Sequence, residues 1–131
     1  MRALVVALAA SLVVAAPASA ATFFKTPSGN IGCVISKSVA RCDISEKAWT
    51  PPPKPASCPV DWGNGLVVSR RGSARFTCAG DTVLGGQRVL GYGDDISRGR
   101  FRCVSRRNGV RCVNTRNEHG FKLSRHVARW F

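Results

Sequence analysis

The chain has 131 residues, a length that fits one domain with a modest core and leaves little room for a second within it. Its 20 lysines and arginines outnumber 7 aspartates and glutamates, for a net charge of +13. An excess of that size serves solubility and attracts anions, but it says nothing about which anion.

The chain opens with Met1-Arg2, a minimal positive region, followed by an apolar run from Ala3 to Ala16 broken only by Ser11. Pro17 ends the run, and Ala18-Ser19-Ala20 has the small-x-small pattern of a cleavage site. Residues 1–20 therefore read as a cleaved signal peptide and residues 21–131 as a single secreted β-rich domain. The run of about 14 residues falls short of the roughly 20 needed to span a bilayer. No cysteine follows it, as a lipoprotein anchor would require. The expected compartment is extracellular and oxidising, which favours disulfides over thiols.

Six cysteines follow. Cys33 and Cys42 are separated by eight residues, and so are Cys103 and Cys112, exactly one copy of the pattern 70 residues after the other. The expected pairing is Cys33–Cys42, Cys58–Cys78 and Cys103–Cys112. In the last pair, a four-residue loop Arg106–Gly109 sets Cys103 opposite Cys112, within disulfide reach across an antiparallel pair. A tight Asn108-Gly109 turn would instead set Cys103 opposite Asn114. Aligned at this offset, Gly29 matches Gly99, Val34 matches Val104 and Arg41 matches Arg111, alongside the cysteines. The matches fit either a duplication or two hairpins built to one geometry.

Between the hairpins, Asp43-Ile-Ser-Glu46 has a capping pattern that predicts one helical turn ending at Thr50-Pro51. Pro51–Pro55 predicts an extended polyproline segment. Leu66–Ser69 and Ser73–Cys78 flank Arg70-Arg71-Gly72 as a hairpin, and Asp81–Leu84 and Gln87–Leu90 flank Gly85-Gly86 in the same way. Phe121–Leu123 alternates as a strand, and residues 124–131 are ambiguous between helix and strand. The predicted fold class is all-β or β-rich, a small disulfide-stapled antiparallel hairpin domain with little helix.

The charge is uneven along the chain. Residues 98–131 hold ten basic residues and a single acid, Glu118. Strand alternation turns Phe101, Cys103, Val110 and Cys112 inward, and Arg100, Arg102 and Arg111 outward, with Arg106 and Arg107 at the tip. These five arginines are the candidate anion-binding residues. The expected partner is an anionic envelope polymer or an acidic protein surface, and export argues against nucleic acid. The mature chain has no long apolar stretch suited to a membrane.

Catalytic signals are sparse. His119 and His126 are an acid–base pair in type, Ser105 and Ser124 lack a glycine-flanked elbow, and Asp94-Asp95 sit in a glycine-rich turn. With six bridged cysteines no thiol nucleophile remains, and the absence of C-x2-C argues against zinc. No cofactor is expected. Trp49, Trp62 and Trp130 read as packing aromatics at the edge of the core.

The segments Thr26-Pro-Ser-Gly-Asn-Ile-Gly-Cys33, Ala40-Arg-Cys-Asp-Ile44, Asp61-Trp-Gly63, Phe76-Thr-Cys-Ala-Gly-Asp-Thr-Val-Leu84, Gly109-Val-Arg-Cys112 and His119-Gly-Phe-Lys-Leu-Ser-Arg125 resemble a family of small secreted actinobacterial proteins of unknown function. Nearly all of the mature chain is covered. The family has serine or threonine ahead of the final hairpin cysteine, where this chain has Arg111. The resemblance implies compartment and fold but no activity. The resulting expectation is a non-catalytic binding module for anionic envelope material. Its alternatives are a disulfide-stapled inhibitor of a secreted hydrolase and a cationic antimicrobial protein.

Overall fold

The computed structural model describes residues 1, 3–14 and 21–131; the expected cleavage site at Ala18–Ala20 lies outside them. Residues 3–14 form no strand or helix and are exposed, so their leucines and valines add nothing to the core.

Among the described residues, ten strands build two antiparallel meanders. The first sheet runs β1 (Thr22–Lys25), β2 (Ile31–Ile35), β3 (Val39–Ile44), β4 (Trp62–Ser69) and β5 (Arg75–Cys78). The second runs β6 (Asp95–Arg98), β7 (Phe101–Arg106), β8 (Gly109–Asn114), β9 (Gly120–Leu123) and β10 (Ala128–Trp130). The fold is all-β, as expected, with no helix among the described residues. The ambiguous C-terminal segment is settled as β10.

All three expected disulfides form. Cys33–Cys42 and Cys103–Cys112 each join directly opposed residues with Cα atoms 4.1 Å apart. The register anticipated for the second hairpin is correct, but its loop is shorter. Arg106 pairs with Gly109, leaving a two-residue turn at Arg107-Asn108. Gly109 takes a φ of 122°, and a Cβ there would lie 2.3 Å from the Leu123 carbonyl oxygen. Glycine is required on both counts.

One row of inward side chains crosses each sheet. In the first it reads Phe24, Cys33, Cys42, Leu66 and Phe76, each directly opposite the next. In the second it reads Ile96, Cys103, Cys112, Phe121 and Trp130. The sheets stack so that like meets like. Cys42 Sγ lies 3.7 Å from Cys112 Sγ, and the Phe76 and Trp130 rings meet edge-on at 5.2 Å. Contacts between equivalent residues at two points of the row mark an approximate two-fold axis between the sheets, running along it. Apart from Trp130, which is half exposed at the rim, the rows belong to one continuous core.

This stacking governs the connection between the halves. It places β6 over β1, so the chain leaving β5 must recross the width of the first sheet. It does so over the outer face. A Cβ on Gly32 would lie 2.5 Å from the Val83 carbonyl oxygen, showing how closely the crossing segment lies on β2. The segment then rounds the β1 edge, where Lys25 N–H donates to the Arg88 carbonyl at 2.8 Å and Leu90 N–H to the Lys25 carbonyl at 2.9 Å.

Two local expectations fail for the same reason. Asp81–Leu84 and Gln87–Leu90 do not pair with each other; beyond a single parallel bridge from Val89 to Lys25, the segment is irregular. The Asp43 helical turn is absent because Asp43 and Ile44 complete β3, with Asp43 opposite Gly65. In both cases tertiary pairing overrides a local pattern.

The three tryptophans do pack. Trp49, Trp62 and Trp130 all converge on Phe76, at 5.9, 6.0 and 5.2 Å between ring centroids. Trp62 Nε1 donates to the Pro52 carbonyl and Trp49 Nε1 to the Ser124 carbonyl, which satisfies both of these indole N–H groups.

Candidate anion-binding face

Alternation sends every second residue of β7–β10 to the outside of the second sheet. One outward row reads Asp95, Val104, Arg111, Lys122 and Arg129, each opposite the next. Three cations thus stand side by side on three adjacent strands. Like charges directly opposite one another are destabilising, each pair by roughly 0.2–1 kcal/mol. Among the described residues none of the three forms an ion pair; Arg111 stacks over the Phe131 ring at 4.9 Å. In the neighbouring outward row, Arg102 donates from Nε to Asp95 Oδ2 at 2.9 Å, with both side chains about half exposed. That pair is worth little in water. Arg102 and Arg111 also flank a shallow groove of about 130 Å³ with Val104 and Val113.

The first sheet treats the equivalent arginine differently. Arg41 occupies the position of Arg111, one residue before the second hairpin cysteine and opposite Val34 as Arg111 is opposite Val104. Asp43, two residues along β3, accepts from Arg41 Nε at 3.2 Å and Nη2 at 2.8 Å. Asp81, on the crossing segment, accepts from Nη1 at 3.0 Å. Asp43 is buried and also accepts from Thr82 Oγ1 at 3.3 Å and Val83 N–H at 3.1 Å. Burial works against the Arg41 charge, and the hydrogen bonds to Asp43 and Asp81 outweigh it, so its pKa is raised. The hydrogen bond from Arg41 holds the Asp81 carboxyl below its ordinary value. In the second sheet Val113 stands where Asp43 does, and among the described residues no segment crosses the outer face.

The five candidate arginines fall in three places. Arg102 and Arg111 lie on the outer face. Arg106 ends β7, and Arg107 is in the turn with its guanidinium 5.0 Å from the Tyr92 ring. Arg100 lies at the opposite end of the sandwich, in the turn before β7. Desolvation, then repulsion from Arg116 and Arg70, lowers its pKa. Buried Asn114 holds that end together. Its Nδ2 donates to the Ser69 and Arg70 carbonyls at 3.1 and 3.2 Å, and its Oδ1 accepts from Arg116 N–H at 3.1 Å. Glu118, an exposed acid, shares the Arg116 turn.

Lys122 and Arg129 were not among the candidates. The alternation of Phe121–Leu123 already turns Lys122 outward, but Arg129 needs the β9–β10 register. Of the residues considered for catalysis, Ser124 and His126 share the turn after β9, where Ser124 Oγ accepts from the His126 N–H at 3.3 Å; His119 lies at the other end of β9, and Ser105 is buried with no hydrogen-bond partner for its hydroxyl. Among the described residues no three His, Cys, Asp or Glu side chains come together as a metal site, and no helix is long and apolar enough to cross a membrane.

No curated protein and no solved structure matches the chain. A family model does match, over residues 3–131, and the chain belongs to that family, a family of unknown function (DUF6636).

Proposed function

We propose that the protein is an exported, non-catalytic binding module that docks on anionic cell-envelope polymers through the outer face of its second sheet. The observation that carries this reading is the row Arg111, Lys122 and Arg129, held directly opposite one another with no carboxylate partner among the described residues. An arrangement that costs stability and has no internal counter-charge suits an external anion. Arg102 extends the patch, and Arg106 and Arg107 extend it towards one end.

Export is supported by the signal-like residues 1–20, by the unpacked apolar segment 3–14 and by three disulfides, which persist in oxidising compartments. The resemblance to small secreted actinobacterial proteins supports the same compartment. The dispersal of His119, His126 and Ser105 supports a non-catalytic role.

Retention on a heparin matrix across a salt series tests this reading. Binding at low ionic strength that weakens steeply with salt is the expected result. No binding at low salt, or binding indifferent to salt, would overturn it.

A further inference from the structure

A second feature lies at the end of the sandwich that carries the Arg107-Asn108 turn. A cleft of about 370 Å³ opens there between the two sheets, lined in part by Ser28, Glu46, Tyr92, Arg106, Arg107 and Arg125. Its volume falls within the range of small-molecule sites. Arg111, Lys122 and Arg129 do not line it.

The walls are fixed by bonds that leave the charged groups free. Asn30 is bonded to the Glu46 backbone in both directions, through Nδ2 at 2.9 Å and Oδ1 at 2.7 Å. Ala48 N–H donates to the Arg125 carbonyl at 2.8 Å, and Trp49 Nε1 to the Ser124 carbonyl at 2.9 Å. The segment that follows β3 is thereby tied to the turn between β9 and β10. The stack on Tyr92 orients Arg107, so less freedom is lost when its N–H fork engages a ligand. Among the described residues, none of Arg106, Arg107, Arg125 and Glu46 forms an ion pair.

The mixture of charges narrows the ligand. Three arginines offer forked donors suited to a carboxylate or phosphate. Glu46 repels a bare anion but accepts hydrogen bonds from hydroxyl groups. Ser28 Oγ accepts from Asn30 N–H at 3.3 Å and lies 3.5 Å from Thr26 Oγ1, so a hydroxyl stands on the wall beside Glu46. A ligand that satisfies both sets carries an anionic group and free hydroxyls on one small frame. We infer that the cleft binds a single carboxylate-bearing sugar unit, with Arg107 and Arg125 on the carboxylate and Glu46 on ring hydroxyls.

Trigalacturonate is the probe, with inorganic phosphate and neutral maltotriose as controls, each titrated into the disulfide-bonded protein by calorimetry and NMR shift mapping. Trigalacturonate is expected to bind, with shifts at Glu46, Tyr92, Arg107 and Arg125, and maltotriose is not. Arg107→Ala or Arg125→Ala should weaken it by about tenfold, the scale of one charged hydrogen bond. Glu46→Gln should weaken trigalacturonate by about threefold while tightening phosphate, because a charged acceptor and a repulsion are lost together. The triple variant Arg111→Ala, Lys122→Ala, Arg129→Ala, none of which lines the cleft, should leave the trigalacturonate-induced shifts at Glu46, Tyr92, Arg107 and Arg125 in place. Phosphate binding as tight as trigalacturonate, with both strengthened by Glu46→Gln, would reduce the cleft to a bare-anion site and overturn the inference. Shifts confined to the outer face, or loss of trigalacturonate binding in the triple variant, would also overturn it and leave the outer-face reading standing. Binding in the cleft without heparin retention would sink the outer-face reading alone.

Discussion

Arg41 and Arg111 occupy one position in two sheets built to the same plan, and their surroundings could hardly differ more. Arg41 is mostly buried, held by Asp43 and Asp81 beneath the segment that crosses the first sheet. Arg111 is exposed on a face that no segment crosses among the described residues, beside Lys122. The difference follows from topology. Stacking about a two-fold axis forces one crossover, from β5 to β6, and it covers the first sheet. The second sheet comes last and needs none. The same side chain therefore organises the fold in one half and is left available in the other.

Removing Asp43 breaks this comparison most sharply. Asp43→Ala strips the partner from a mostly buried arginine and releases Thr82 and Val83, so it should cost about 3 kcal/mol or more in urea unfolding. Val113→Ala, at the equivalent site, removes only a partly buried side chain and should cost under about 1.5 kcal/mol. Equal costs would mean that the two sheets do not differ as described.

The two hairpin disulfides should behave alike. Each closes a ring of about ten residues, worth about 2.7 kcal/mol in the chain-entropy model. Cys33→Ala with Cys42→Ala, and Cys103→Ala with Cys112→Ala, should therefore lower stability by similar amounts. A gap of several kcal/mol would deny the equivalence of the two rows.

These rings were also the most legible part of the fold. The repeated spacing placed Cys103 opposite Cys112, and alternation then sorted Phe101 inward from Arg102 outward. Sequence logic stopped where contacts became distant. Asp43 followed by Glu46 reads locally as a helix start, and nothing nearby announces that Thr82 and Val83 will bond to its carboxylate. Arg70, Arg100 and Arg116 come from three separate turns, gathered by Asn114, which bonds to the Arg70 and Arg116 backbones, and by Thr115, which bonds to the Arg100 carbonyl. Arg129 joins Lys122 and Arg111 through registers set by turns whose lengths local patterns do not reveal.

A smaller effect comes from giving the second sheet the first sheet's carboxylate. Val113→Asp places an acid two residues from Arg111, as Asp43 is from Arg41, and should weaken heparin retention by up to about fivefold, the range of an exposed ion pair. Unchanged retention would remove Arg111 from the binding face.

Acid should act on the first sheet through Asp81. Its folded pKa lies below the ordinary value of 3.8, so its contribution is intact above that value and is lost as pH falls through the folded one. Asp81→Asn should flatten this part of the stability profile below about pH 4 and lower stability modestly at neutral pH, where the Arg41–Asp81 pair is intact in the unaltered protein. A variant whose acid sensitivity matches the unaltered protein would break the Arg41–Asp81 link.

The most direct test measures binding and stability on one variant, with Arg111, Lys122 and Arg129 all changed to alanine. Relief of two like-charge contacts should leave stability equal or raise it, by up to about 2 kcal/mol. Heparin retention should fall to low salt and lose most of its salt dependence. Retention that persists undiminished would contradict the account, as would a marked loss of stability, because the row would then be part of the fold and not a surface kept for an anion.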